Sequence, residues 1–288
     1  MDSITRLCRE KTNLTMFQIS LLSRMSIVFP FLADLAHGEL KVYVRAKTPD
    51  SFLIAAQQRP HTVYLPGKPD EAGNVVRCIE EPLIKETFQT GKPGRGKREW
   101  NYGSMVDMYT FAIHDGDKVI GVLNFEVDRE KLSIEGYPHL LEAAVAVLYH
   151  ARHVLNPEQF RPITASDGII ITDAHSRIVF ADAAAQRIYR VLGVGSLRGG
   201  HLFDRQMTQH VTRETVETER PWQKEITAGG LILIRREIII REGGELKMRI
   251  VIISDVTETR AKDKEIRIKS AVIQEIHHRV KNNLQAIA

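Results

Sequence analysis

The sequence predicts an α+β protein made of two domains, each an antiparallel sheet with flanking helices, followed by one long C-terminal helix. Three observations predict this. Short β-branched runs alternate with turn residues, most clearly where Glu242-Gly243-Gly244-Glu245 separates Leu231 to Arg241 from Leu246 to Ser254; a Gly-Gly pair between such runs is a strong hairpin signal. Apolar residues recur at helical spacing at both ends of the chain. From Glu258 to the end there is no Gly and no Pro, so nothing interrupts a helix there.

In the first domain, residues 1–155, helical periodicity runs to Leu35. Strands are then expected over Lys41 to Ala46, Phe52 to Gln57 and Thr62 to Leu65, separated by Thr48-Pro49-Asp50 and closed by Pro66-Gly67-Lys68-Pro69. A helix from Glu81 to Gln89 is stopped by Gly91 and Pro93. The basic stretch Lys92-Pro93-Gly94-Arg95-Gly96-Lys97-Arg98 has the composition of a solvated loop, with a phosphate grip as the sharper alternative. Met108 to His114 and Val119 to Val127 are expected to form a hairpin about Asp115-Gly116-Asp117. Tyr137 to Leu155 is expected to be a helix, with Leu140, Leu141, Ala144, Val145 and Leu148 on one face.

The second domain, residues 160–257, follows the break at Asn156-Pro157. Gly168 to Thr172 and Arg177 to Phe180 read as strands joined by Asp173-Ala174-His175-Ser176. Asp182 is placed to cap a helix ending before Gly193, and the two long hairpin strands close the domain. Residues 258–288 are one helix.

Composition excludes several functions. The 288 residues are 43% hydrophobic and 26% charged, enough for about two folded domains. A net charge of +4 from 40 basic and 36 acidic groups is too dispersed for a nucleic-acid-binding face, and no helix-turn-helix is present, which disfavours a transcription factor. Only Cys8 and Cys78 occur; two reduced cysteines suit a cytosolic protein and cannot build a disulfide scaffold. Gln18, Ser20, Ser23, Arg24, Ser26 and Asp34 interrupt the apolar stretch from Leu14 to Leu35, so it is expected to be core rather than a membrane span, and the protein cytoplasmic. No cofactor is expected in this chain. His201 and His210 are available as haem ligands by position, but no motif singles them out, and the second domain has no cysteine for a flavin adduct. Cys78, between Val76-Arg77 and Ile79-Glu80, looks structural rather than a bilin attachment point. A small apolar or zwitterionic ligand is compatible with either domain.

The chemistry is expected in the last helix. Ile273, Ile276, Val280 and Ile287 follow three- and four-residue steps with Asn283 in the gap, the seam of a helical homodimer. His277 falls on the shoulder of this stripe. His278 falls opposite it, on the face of Glu275, Asn282 and Gln285, flanked by Arg279 and Lys281. A histidine that accepts a phosphoryl group needs an open ring nitrogen, and nearby cations favour the incoming charge. His278 meets these needs better than His277.

The string His-His-Arg-Val-Lys-Asn-Asn-Leu-Gln at 277–285 resembles the phosphoacceptor box of the second histidine-kinase dimerisation family, related to the HWE kinases. In that family the histidine directly before Arg-Val-Lys-Asn is phosphorylated, which maps onto His278. Residues 167–257 are similar to a PAS domain through Asp-Gly-Ile-Ile-Ile-Thr-Asp, Ile-Val-Phe-Ala-Asp and the terminal Asp255-Val256-Thr257. Residues 1–155 resemble the GAF-like domain of cytosolic sensor kinases of the PdtaS type, through Leu32-Ala33-Asp34-Leu35 and Asp117 to Leu123. The resemblance implies the sensory input region of a two-component histidine kinase, with a response regulator as partner. Such kinases continue into a second helix and an ATP-binding domain, so the chain is expected to be a fragment, inactive alone. ATP and Mg²⁺ are expected only with that missing domain. The alternative is a non-enzymatic GAF/PAS module that binds ligand and dimerises; the box around His278 separates the two.

Overall fold

The computed structural model describes residues 2–63, 69–101, 104–128, 134–150, 156–204 and 222–287. It is an α+β fold with two antiparallel sheets, of six and five strands. The first domain opens with helices α1 (Ser3–Lys11), α2 (Met16–Met25) and α3 (Phe29–Leu35), the last two joined by a 3-10 turn. Thr15 starts α2 with a capping box: its hydroxyl accepts from Gln18 N, and the Gln18 side chain accepts from Thr15 N. Met16–Leu35 is long and apolar enough to cross a membrane by length and composition, yet more than half of it is buried. Leu22, Met25, Phe31 and Leu32 of this segment join the core on one face of the first sheet, whereas Met16, Phe17 and Ile27 are exposed.

That sheet contains β1 (Glu39–Arg45), β2 (Ser51–Gln58), β3 (Val75–Arg77), β4 (Gly94–Asn101), β5 (Ser104–Asp115) and β6 (Lys118–Val127), in the order β3-β2-β1-β6-β5-β4. Alternation along the strands decides what each face carries. Leu40, Val42 and Val44 of β1 and Leu123, Phe125 and Val127 of β6 join the core beneath α2, α3 and α5 (Tyr137–His150). Tyr43, Phe52, Met108 and Val122 face the other way, against α4 (Pro82–Thr90), where Gly91 terminates the helix at φ +68°.

Two expectations need correction here. The basic stretch 92–98 is not a solvated loop, because Gly94 onward forms β4, paired with β5. The local reason is space: a Cβ on Gly94 would lie 2.8 Å from Leu83 Cδ1 of α4 and 2.6 Å from Thr110 Oγ1. Only glycine lets the strand pass that close. Nor is there a strand at Thr62 and Val63, which form a bend. Val75–Arg77 pairs with β2 instead. Thr62 is held otherwise, donating its hydroxyl to Asp34 O at 3.2 Å. Leu65 and the turn at 66–68 lie outside the described residues, as do residues 151–155 at the expected end of α5.

The second sheet, in the order β8-β7-β11-β10-β9, contains β7 (Gly168–Thr172), β8 (Ile178–Ala181), β9 (Gln223–Ala228), β10 (Leu231–Glu242) and β11 (Glu245–Asp255). The Gly243-Gly244 turn has φ of +60° and +90° and joins β10 to β11 as expected. Strand β9 was not anticipated. Asp182 caps α6 (Ala183–Val191) by accepting from Ala185 N at 2.7 Å. All five residues of β7 are buried, because the sheet is covered on both faces. Ile170, Val251 and Ile253 pack with α6, whereas Ile169, Ile171, Ile250 and Ile252 join the core shared with α3 and α5. The two domains are therefore welded through one apolar core.

A buried carboxylate reinforces the weld. Asp34 in α3 is fully buried and accepts from Ile163 N of the second domain at 2.9 Å, from His61 N, and from His61 Nδ1 at 3.2 Å. Nearby, Arg236 of β10 donates to Arg161 O at 2.8 Å and lies 5.9 Å from the Phe31 ring centroid. Burial, reinforced by Arg161, pushes its guanidinium down to about 10.

Candidate functional site

The output end is built at the close of β11. Val256 N donates to Ile232 O at 2.9 Å, and Ile232 N donates to Thr257 Oγ1 at 2.9 Å. Asp255 Oδ1 accepts from Thr257 N at 3.0 Å and from its hydroxyl at 2.6 Å. Helix α7 (Thr257–Ile287) starts at this knot. Arg260, one turn in, pairs with Glu225 of β9 at 2.6 Å. No loop separates sheet from helix, so the helix is a direct extension of the strand.

His278 and His277 both lie on α7 and both are exposed in the single chain. His278 is 21 residues beyond Thr257, about 32 Å at the helical rise of 1.5 Å. Ile266, Ile268, Val272, Ile273 and Ile276 are each more than half exposed. Ile266 lies seven residues before Ile273 and extends the expected seam toward the sheet. The heptad spacing of 266, 273, 280 and 287 was the signal for it. The side chains of residues 279–288 lie outside the described part, including the Arg279 and Lys281 flank and the Val280 and Ile287 seam positions.

The remaining sequence candidates look structural. Cys8 and Cys78 are free and buried, and burial pushes the Cys8 thiol up to about 11, away from thiolate chemistry. His201 Nδ1 accepts from Phe203 N at 3.2 Å and its backbone bridges Arg177; His210 lies outside the described residues. Among the described residues no group of His, Cys, Asp and Glu is placed to hold a metal ion.

The sequence reading missed a cluster of charges inside the first domain. Lys41, Glu39 and Glu126 are nearly inaccessible, at 2%, 1% and 3% exposure. Lys41 Nζ lies 2.6 Å from Glu71 and 3.4 Å from Glu126. Arg98, from the stretch expected to be solvated, pairs with Glu81 and with Glu126 at 3.0 Å. Burial raises the Glu81 carboxyl, partly offset by Arg98, and burial with Glu81 beside it raises the Tyr43 phenol. Lysine, arginine and glutamate at alternate strand positions look like ordinary surface, which hid the cluster.

The model of the GAF domain of histidine kinase PdtaS matches residues 4–139. This segment is similar to the GAF domain of the PdtaS kind. Similarity to PdtaS sensor histidine kinases extends along the chain. It is 27% identical over 319 aligned residues to PdtaS of Mycolicibacterium smegmatis, covering 100% of this chain and 62% of that protein. It is 28% identical over 286 residues to PdtaS of Mycobacterium tuberculosis strain CDC 1551 / Oshkosh, covering 89% of this chain and 56% of that protein. The chain thus spans less than two thirds of the PdtaS proteins it matches. A solved structure described as the sensor region of a sensor histidine kinase superposes with a TM-score of 0.61 at 23% identity, covering 90% of this chain and all of that one. The PdtaS likeness supports a sensory role in histidine-kinase signalling.

Proposed function

We propose that this chain is the sensory input region of a cytoplasmic two-component histidine kinase. In this reading the GAF domain, residues 1–155, and a PAS domain, residues 160–257, receive a signal. Residues 258–288 carry it to the phosphoacceptor His278, controlling autophosphorylation and phosphotransfer to a response regulator. The observation that carries it is the rigid exit of α7 from β11, leading to an exposed histidine in the box at 277–285. The strand order β8-β7-β11-β10-β9 supports the PAS reading, since the last strand lies mid-sheet and feeds the helix. The exposed stripe Ile266, Ile273 and Ile276 supports a parallel homodimer, because burying each such side chain contributes roughly 1.5–3 kcal/mol. Burial of Met16–Leu35 in the first core supports a protein that does not enter a membrane.

The test uses the kinase carrying its ATP-binding domain. Replacing His278 by Gln is expected to abolish acid-labile phosphate from labelled ATP, whereas His277→Gln retains a good part of it. If His277→Gln is the null variant and His278→Gln is not, the acceptor is misassigned. Phosphate on neither wild-type position would overturn the kinase reading and favour a non-enzymatic module. The 288-residue chain alone is expected to take up no phosphate from ATP, because nothing in it resembles an ATP site.

A further inference from the structure

The face of the second sheet that packs with α6 carries positive charge that signal output does not use. Antiparallel register sets Arg235 of β10 opposite Ile253 of β11, Glu237 opposite Val251, and Ile239 opposite Arg249. Val251 and Ile253 pack with α6, so both arginines and the glutamate project to that side. Arg235 is only 7% exposed. Its Nη2 lies 2.5 Å from Glu237 Oε1, and Arg249 Nη1 lies 3.4 Å from Glu237 Oε2. One carboxylate therefore serves two guanidiniums, and one positive charge is left over. Lys224 of β9, opposite Arg235 in the ladder, adds to that surplus. Asp204, the acid next to Phe203 in the chain, accepts instead from His201 N at 3.1 Å.

Hydrogen bonding shows a deficit of the same sign. Arg235 Nε and Nη2 and Arg249 Nε are buried donors without an acceptor among the described residues, the contact of Arg235 with Glu237 being an ion pair without hydrogen-bond alignment. Nε and Nη2 form one edge of a guanidinium, and such an edge grips both oxygens of a carboxylate. The Phe203 ring centroid lies 5.3 Å from the Arg249 guanidinium carbon, so the ring takes the flat face of the cation and leaves its N–H edge. Burial raises the Tyr189 phenol of α6, opposed by Arg235 and reinforced by Glu237, so a neutral hydroxyl faces the same charges. The group is not sealed: the Arg249 and Glu237 side chains are 18% and 24% exposed, and Phe203 is exposed. We propose that this face of the second sheet binds a small organic acid, its carboxylate gripped by Arg235 beside Arg249 and its body against Tyr189 and Phe203. Two guanidiniums then meet two carboxylates, one from the ligand and one from Glu237. A metal ion is disfavoured, because the unpaired groups are cationic donors. The inference rests on the sensory reading of the second domain and names the class of signal. It also has a route outward: Arg249 and Ile253 lie on β11, which runs on to Asp255 and the start of α7.

The test is titration calorimetry and thermal melting of the 288-residue chain with sodium butyrate. Butanol, n-butylammonium chloride and sodium phosphate at matched ionic strength are the comparisons. Butyrate is expected to bind saturably and raise Tm, while the alcohol, the amine and phosphate do neither. Arg235→Lys, which keeps the charge and loses the two-donor edge, is expected to weaken butyrate binding by about tenfold or more. Glu237→Gln, which removes the competing carboxylate, is expected to tighten it. Absence of saturable butyrate binding to the wild type overturns the proposal. So does equal binding of butanol or phosphate, or a Kd within about twofold of wild type in both variants. Should either variant fail to fold by circular dichroism, the wild-type comparison of carboxylate, alcohol, amine and phosphate decides. Because phosphorylation is not measured, this result stands or falls separately from the His278 assay.

Discussion

Replacing Asp34 by Ala is expected to loosen the two domains from each other. The carboxylate is fully buried and accepts from two backbone donors, His61 N and Ile163 N, and from the His61 ring. A hydrogen bond to a charged group contributes about 1.5–3 kcal/mol, so the two backbone donors together account for about 3–6 kcal/mol. The ring contact adds little, because the His61 side chain is 55% exposed and solvent screens it. The two losses share one site and are not additive, so a cost of about 4 kcal/mol is expected. At about 2–4 °C per kcal/mol for a chain near this size, Tm should fall by about 8–16 °C. Asp34→Asn, which keeps one acceptor oxygen, should lose about half as much. Urea unfolding with an unchanged slope measures the cost, and hydrogen exchange at Ile163 N–H locates it, since that amide should lose protection in the Ala variant first. An Asp34→Ala protein within about 1 kcal/mol of wild type, or with Ile163 still protected, would refute the argument that this carboxylate joins the domains.

Other perturbations have equally definite outcomes. Burial holds the His37 imidazole down from 6.5 to about 4, so the unfolded chain binds the extra proton between those values. Stability should therefore fall as pH drops from 6.5 toward 4, by at most about 3 kcal/mol. His37→Asn, which tolerates the positive φ of 47° at that position, should flatten this part of the urea-midpoint profile. Gly168→Ala would place a Cβ 2.6 Å from the Ala185 backbone of α6. It should destabilise the second domain by about 1–3 kcal/mol, and an unchanged melting curve would show that α6 yields freely. Two glycines inserted after Thr257 should leave basal phosphorylation of the full kinase intact but remove its response to the signal; a retained response would mean that the knot at Asp255–Thr257 does not transmit.

Local pattern made the secondary structure legible in the sequence. The β10–β11 hairpin follows from paired glycines that alone accept positive φ, α6 from the Asp182 cap, and α7 from a run without breakers. The likeness of the first domain to a GAF domain was likewise carried by contiguous strings. Partners distant along the chain decided the rest. The stretch at 94–98 became strand because Leu83, Thr110, Glu81 and Glu126 close around it, and none of them is a neighbour in sequence. Strands β3 and β9 sit at or near sheet edges, where half-exposed positions blur the alternation that marks a strand. Asp34 meets Ile163 across 129 residues, and it reads as an interruption of an apolar helix until the second domain supplies the donor. Backbone dihedrals and turn preferences act over a few residues and so are visible in the string. The meaning of a buried charge is set by the charges that sheet register and domain packing bring within about 4 Å of it, and only the folded chain contains those distances.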